Sequence, residues 1–169
     1  MTDRTANLLG TLSLAVADRV GETTQAILNH SGETAAALVV IGYGFGPSNE
    51  RLRKVLGLSH PGCVRLVDRL AADGLVERRP GKDRRAVALH LTPRGREARE
   101  RILEGRIAAI RPFLSQLAPE EEEALGALLH KLLASLDTSD LERCQFCRLC
   151  DDSVCTDCPI PADFRTALP

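Results

Sequence analysis

The feature that most constrains the fold of this chain is a change of hydrophobic period after Gly74. Before it, SHPGCVRLVDRLAADG has its apolar residues at helical spacing. The predicted inward-facing stripe of that helix is Val64, Val67, Leu70 and Ala71. After it, LVERR and AVALHLT alternate apolar and polar residues around the basic turn PGKDRR, which is typical of a two-stranded hairpin. The sequence therefore predicts a helix followed directly by a hairpin with a basic tip.

Helical periodicity predicts three further helices upstream, over residues 5–30, 33–42 and 48–57. In the third, Ser48 is the expected N-cap and Gly57 the expected end. Ser59 is the expected N-cap of the next helix, so the intervening turn is short. Two helices joined by a tight turn and followed by a basic hairpin form the layout of a winged helix-turn-helix.

Two more helices are predicted after the hairpin. The first opens at Thr92-Pro93, and Pro112 is expected to kink or interrupt it. The second starts at Pro119, where four glutamates lie at the positive end of the helix dipole. A continuous apolar stripe follows, broad enough for a core or a subunit interface: Leu125, Leu128, Leu129, Leu132, Leu133 and Leu136.

Charge is distributed unevenly along the chain, although its net charge is only −1. Between Arg51 and Arg111, sixteen Lys/Arg residues outnumber seven Asp/Glu, about +9. From Asp137 onwards there are three Lys/Arg residues and seven Asp/Glu, a net charge of about −4. A basic middle and an acidic tail indicate a polyanionic partner for the middle alone. The chain has no Trp and a single Tyr, which argues against the stacking surface that binds single-stranded nucleic acid.

The N-terminal segment lacks the basic start and small-residue cleavage site of a signal peptide, and no run of eighteen apolar residues predicts a membrane span. We therefore expect a cytoplasmic protein, in which clustered cysteines more often bind metal or sense oxidants than form structural disulfides.

The predicted functional surface binds duplex DNA. A helix of this size fits the major groove, where arginine pairs with guanine edges or phosphates, and a basic hairpin tip reaches phosphates or a narrow minor groove. Solvated charges on an ordinary helical domain would explain a single basic run. They would not explain why a turn, a helix, two alternating strands and a basic tip follow one another in this order. The predicted DNA-binding residues are Ser59, His60, Cys63, Arg65, Arg69, Arg79, Lys82, Arg84 and Arg85. Of these, Cys63 is interpreted as a small groove-facing or packing residue rather than a redox switch.

LGLS, RLVDRLAADGLVERR and DRRAVALHLTPRGRE resemble the core of the MarR family of winged-helix transcription regulators. The resemblance covers residues 52–106 in detail and residues 5–136 in helix order. It implies a homodimer on a pseudo-palindromic double-stranded DNA operator, with one recognition helix and one wing per half-site. By position, residues 59–73 would be the recognition helix. Asp83 would orient a wing arginine, Arg84 or its neighbour Arg85, for the minor groove.

The predicted fold is mainly α with a small β-hairpin wing. The resemblance divides it into an N-terminal dimerisation helix (residues 1–31), a winged helix-turn-helix DNA-binding domain (32–92), C-terminal dimerisation helices (93–136) and a cysteine-rich tail (137–169). The predicted function is a sequence-specific transcriptional regulator, most simply a repressor. An enzyme is not predicted, because no nucleophile–base pair, phosphate loop or HExxH pattern is present.

The resemblance also implies a small-molecule effector between the dimerisation region and the winged domain. By position, the residues near such a pocket would be Arg19, His30, Tyr43 and Phe45.

Five of the six cysteines lie in CQFCRLCDDSVCTDCP. The pairs Cys147/Cys150 and Cys155/Cys158 are two CxxC steps, whose four thiolates would satisfy tetrahedral Zn²⁺ if the short spacer allows a compact knuckle. Cys144, as the alternative ligand, completes a C-x2-C-x2-C…C-P pattern typical of an iron–sulfur cluster. Reversible disulfide formation without metal and a disordered tail are the remaining alternatives. Because the tail follows a predicted dimerisation helix, a change in its ligation would alter the spacing of the two recognition helices. In the alternative function, the regulator responds to a small-molecule ligand and the cysteine tail is only a structural zinc site.

Overall fold

The structure, a computed structural model, describes residues 3–28, 32–81, 87–155 and 157–160. As predicted, it is mainly helical with one two-stranded antiparallel sheet. Within the described residues no helix is both long and apolar enough to cross a membrane. In chain order the elements are α1 (Asp3–Leu28), α2 (Gly32–Gly42), α3 (Asn49–Leu56), α4 (His60–Ala72), β1 (Val76–Pro80), β2 (Val87–Leu91), α5 (Pro93–Leu114), α6 (Pro119–Ala134) and α7 (Asp140–Phe146).

The caps predicted for α3 and α4 are confirmed. The Ser48 hydroxyl accepts a hydrogen bond from the Arg51 N–H at 3.2 Å, and the Ser59 hydroxyl accepts one from the Gly62 N–H at 3.2 Å. Such caps stabilise a helix by about 1 kcal/mol each. Gly57, with φ +67°, ends α3 in the left-handed conformation that glycine adopts without steric cost. Local sequence therefore fixes both ends of the turn between the two helices.

The hairpin pairs Val76 with Leu91, Arg78 with Leu89 and Pro80 with Val87. Val76, Leu89 and Leu91 are buried, so the alternating pattern marked the face that packs on the core. The predicted tip residues Lys82, Asp83, Arg84 and Arg85 lie outside the described residues.

The buried stripe of α4 differs from the predicted one. It consists of Cys63, Leu66, Val67 and Leu70, whereas Val64 and Ala71 are only partly buried. The helix is rotated relative to the prediction because its inward side must meet both α3 and β1. A choice between neighbouring apolar residues cannot be made from periodicity alone when one helix packs on two elements.

Helix α5 is not interrupted at Pro112; it continues to Leu114, two residues further. The prediction that Pro112 would interrupt this helix is therefore wrong, because the proline lies inside it. The end of the helix is set by Ser115, whose N–H still donates to the Arg111 carbonyl.

Within its described residues the tail contains a helix and a 3₁₀ turn, which were not among the predicted elements. Ser139 and Glu142 form a capping box that starts α7, and a 3₁₀ turn (Cys147–Leu149) follows directly. These elements pack on α2 and α3. Residues 140–149 of the tail are thus folded on the flank of the winged domain.

Close packing at the start of α5 yields a stability prediction. A Cβ added at Gly95 would lie 2.0 Å from the Leu75 carbonyl oxygen, so we expect Gly95→Ala to destabilise the protein by about 1–3 kcal/mol, as overpacking does. Gly21→Ala is the matched control, because a Cβ there meets nothing within 4 Å. The measurement is the free energy of unfolding from urea denaturation. Equal stability of the two variants would contradict the packing.

Candidate functional site

The outer side of α4 carries an exposed polar and basic surface, which we call the α4 face: His60, Arg65, Asp68 and Arg69. Gly62, Arg65, Asp68 and Arg69 line a shallow concavity on it. Because the opposite side of the helix is buried in the core, these side chains are held outward on a fixed support. The structure therefore brings together the predicted helix residues His60, Arg65 and Arg69. Ser59, also predicted, is exposed at the N-terminus of the same helix while its hydroxyl serves as the cap.

An ion pair connects the α4 face to the hairpin. The Arg78 guanidinium donates to the Asp68 carboxylate at 2.5 Å, and both side chains are partly solvent-exposed. Exposed pairs of this kind contribute at most about 1 kcal/mol to stability, so the pair matters more for orientation than for folding. Sequence reasoning missed Arg78, because no local pattern shows that a strand residue lies beside Asp68.

Arg79, predicted to bind DNA, lies on the exposed end of β1 and pairs with Glu77 of the same strand. It thus remains at the surface next to the hairpin tip. The positions of the tip side chains themselves are outside the described residues.

Cys63 is a correction to the predicted DNA-binding set. Its side chain is 1 % exposed, and its thiol donates to the Asn49 carbonyl oxygen at 3.4 Å. Burial raises the pKa of the thiol to about 11, although nearby Arg53 opposes the shift. The residue packs α4 against α3, and of the two interpretations offered by the sequence only packing is correct.

The tail cysteines differ sharply in exposure. Cys144 and Cys147 are buried at 0 % and 8 % exposure within the main hydrophobic core, Cys150 is partly exposed, and Cys155 and Cys158 are exposed. The cluster therefore runs from the core to the surface rather than standing apart from the domain.

Two polar contacts fix the tail to the winged domain. The Tyr43 hydroxyl, just after α2, lies 3.0 Å from the Cys147 carbonyl oxygen and 2.8 Å from that of Cys150, and its proton is shared between them. The Gln145 side-chain amide donates to the Lys54 carbonyl oxygen, in the last turn of α3, at 3.2 Å. Burial, followed by the nearby Cys150 thiol, raises the pKa of Tyr43, which keeps the hydroxyl protonated and able to donate.

The thiols of the tail interact electrostatically. Burial and then the neighbouring Cys150, Cys158 and Cys144 raise the pKa of Cys147 to about 12, against a lowering by Arg106. Burial also raises the pKa of Cys150. Without a bound cation both are neutral thiols at physiological pH. Within the described part of the chain, no three His, Cys, Asp or Glu side chains form a preassembled metal site.

The residues placed near an effector pocket by resemblance have separate surroundings. Arg19 is exposed beside Glu22 at 3.7 Å, Phe45 lies under the Arg51 guanidinium, and Tyr43 is engaged by the tail. His30 lies outside the described residues.

Comparison with known proteins agrees with this geometry. The profile described as MarR family matches residues 31–86. The transcriptional repressor MprA of Escherichia coli K12 is 34% identical over 83 residues, which are 48% of this chain and 47% of MprA. The chain thus spans about half the length of the curated relatives it matches.

Solved structures show the same fold. The Rv1404 structure from Mycobacterium tuberculosis has a TM-score of 0.71 at 24% identity, over 82% of this chain and 96% of its own. Wild-type apo MarR from E. coli has a TM-score of 0.63 at 25% identity, over 76% and 96%. Both structures are thus covered almost completely, while about a fifth of this chain has no counterpart in them.

The burial of Cys63 can be tested by its reactivity. With a pKa of about 11, only about one thiol in a thousand is ionised at pH 8, and the side chain is 1 % exposed. We expect iodoacetamide to label Cys155 and Cys158 rapidly in the folded, chelator-treated protein, and Cys63 only after denaturation. Mass spectrometry of tryptic peptides measures both rates. Rapid labelling of Cys63 in the native state would show that it faces solvent.

Proposed function

We propose that this chain is a winged helix-turn-helix transcription regulator of the MarR family, and that it acts as a homodimeric repressor at a pseudo-palindromic operator. The family consists of transcription regulators and not enzymes. The observation that carries the proposal is the α4 face, where arginines stand outward on a helix whose opposite side is locked in the core.

The α4 face has the chemistry needed to read a duplex. Arg65 and Arg69 are exposed and one helical turn apart, so both can approach base edges or phosphates from one groove. The Asp68–Arg78 pair holds the hairpin beside the same helix. We propose that α4 enters the major groove while the basic hairpin tip, including Lys82, Arg84 and Arg85, contacts the flanking backbone or minor groove.

Two exposed apolar faces support a dimer formed with a second copy of this chain. The exposed leucines of α1 are Leu8, Leu9, Leu12 and Leu14. The exposed leucines of α6, together with one just beyond it, are Leu128, Leu129, Leu132, Leu133 and Leu136, and we call them the α6 face. Helix α6 has no buried residue at all among those described, although it is rich in leucine. Apolar patches of this kind on a soluble domain mark protein–protein interfaces. One face lies in the predicted N-terminal dimerisation helix and the other in the predicted C-terminal dimerisation helices. We propose that both faces contact a second copy of the chain across a twofold axis.

A repressor is proposed because the curated relative MprA bears that name and matches the chain at 34% identity. The match covers 48% of this chain and 47% of MprA.

The recognition role of α4 gives a direct test. Replacing Arg69 by Ala removes one exposed guanidinium, and we expect affinity for a duplex from the region upstream of its own coding sequence to fall by about 1–3 kcal/mol, roughly 10- to 100-fold. Arg101→Ala, an exposed arginine on α5, is the matched control and should change affinity little. Fluorescence anisotropy at several salt concentrations measures the binding. Equal effects of the two substitutions would remove α4 from the interface.

The proposed dimer can be tested by introducing charged residues among the exposed leucines of α6. Leu129→Asp combined with Leu132→Asp places two carboxylates in the proposed apolar contact, so we expect monomers at micromolar concentration. Because the faces are exposed in the protomer, circular dichroism should show little loss of helix. Sedimentation equilibrium measures the association state. A double variant that remains dimeric would place the interface elsewhere.

A further inference from the structure

We propose that Cys147, Cys150, Cys155 and Cys158 form a tetrathiolate site for a soft divalent cation of the zinc class, built on the flank of the winged domain. Four thiols would release their protons to bind one Zn²⁺ in tetrahedral geometry. Among the described residues the thiols are not preassembled around a common centre, so binding a cation would require Cys155 and Cys158 to move towards Cys147 and Cys150.

The spacer between the two CxxC pairs is already folded as a tight turn. The Val154 N–H donates to the Asp151 carbonyl at 3.3 Å, and the Asp151 carboxylate accepts from the Ser153 N–H at 3.1 Å and hydroxyl at 2.6 Å. A four-residue spacer is short for a zinc ribbon, so a compact turn at this point is what a zinc knuckle requires. The turn reverses the chain between Cys150 and Cys155.

The chain just after the second CxxC pair contacts the first pair. The Cys147 sulfur is 4.0 Å from the Ile160 carbonyl oxygen, so the chain that follows Cys158 returns to the first pair. Cys158 is within electrostatic range of both Cys147 and Cys150, and Cys155 is within range of Cys150. Cys155 and Cys158 are exposed and lie outside helices and strands, so small movements there can close the site without disturbing the core.

Burial separates Cys144 from this ligand set. It is 0 % exposed and belongs to the hydrophobic core shared with α2 and α3. Cys144 is the most buried of the five tail thiols, whereas Cys155 and Cys158 are exposed. This difference in access favours the 147/150/155/158 set over the Cys144-containing pattern typical of iron–sulfur proteins.

Charges on α5 suit an anionic site. One Zn²⁺ with four thiolates carries a net charge of about −2. Arg106 is within electrostatic range of Cys147 and Cys150, and the Arg99 guanidinium lies 3.6 Å from the Asp152 carboxylate in the spacer turn. These two arginines would stabilise the loaded site against the acidic residues of the tail.

The position of the site connects it to DNA binding, and this part of the inference rests on the proposed function. Tyr43 holds the carbonyls of Cys147 and Cys150, and Gln145 holds the last turn of α3, directly before the turn into α4. A closed zinc site would fix this segment, and so the end of α3. Because pre-organised elements bind more tightly, zinc should raise DNA affinity.

The test of the site uses the full-length protein, purified without metal and titrated with Zn²⁺ in competition with a chromophoric chelator. We expect about one equivalent per chain, and a loss of affinity above about 100-fold in Cys155→Ser and Cys158→Ser. Both residues are exposed, so these variants should fold. Absence of zinc binding by the unmodified chain, or full retention by both variants, would overturn the site.

Cys144→Ala and Cys155→Ser form a reciprocal pair. If the proposed set is right, Cys144→Ala lowers thermal stability yet keeps the metal, whereas Cys155→Ser loses it. The opposite pattern, or iron with visible absorption in anaerobically purified protein, would replace the zinc site by a Cys144-containing cluster. Cobalt substitution gives a second readout, because sulfur-to-cobalt charge-transfer absorption reports thiolate ligation directly.

Coupling is tested separately with Tyr43→Phe, which lacks only the hydroxyl that holds the two carbonyls. We expect zinc to raise the DNA affinity of the unmodified chain within the roughly 5- to 150-fold range of typical couplings, and this gain to shrink in Tyr43→Phe while zinc stoichiometry is kept. An equal gain in both proteins, or a fall in affinity on adding zinc, would overturn the coupling. Zinc binding without any DNA binding would instead refute the proposed function and leave the site standing.

Discussion

The burial of helix α2 is the constraint on which the rest of the structure depends. Residues 35–41 are almost completely excluded from solvent, and α1, α3, α5, β2 and the 3₁₀ turn of the tail all pack against this helix. Each large aliphatic side chain buried there contributes about 1.5–3 kcal/mol. Because the helix is apolar on all sides, it can only exist at the centre of such an assembly. The positions of α4 and of the buried tail cysteines both follow from the core around this helix.

Helix α4 is oriented by the hydrophobic core that it shares with α2, through its contacts with α3 and β1, and not by its own charges. Leu66 and Leu70 anchor it inward, which leaves Arg65 and Arg69 outside. The cysteine-rich tail packs on the same core from another side. Cys144 is buried in the core, and the Cys147 carbonyl accepts a hydrogen bond from the Tyr43 hydroxyl. The tail cysteines and the α4 face are therefore supported by the same hydrophobic core. In the proposed coupling, a signal at the thiols would need to move only the end of α3 to reach α4.

The sequence located the functional elements well where local rules govern structure. Ser48, Gly57 and Ser59 were correctly assigned as caps, since a cap depends on its immediate neighbours. The sequence-based prediction was wrong or incomplete where the outcome depends on how two elements pack against each other. Cys63 was placed among possible groove residues because its position along α4 allowed either side, and Asp68 gave no sign that Arg78 would lie beside it. Both depend on packing between segments distant in the sequence.

By itself the sequence determined the order of helices, the hairpin, the basic centre and the two CxxC steps, because periodicity, capping and spacing are local properties. Only the tertiary structure decided that the tail folds back onto α2 and α3, that Cys144 belongs to the core, and that Tyr43 holds the backbone of Cys147 and Cys150. Tyr43 and Cys147 are 104 residues apart in the chain. The burial of apolar surface brings such residues together, and no local pattern encodes their contact.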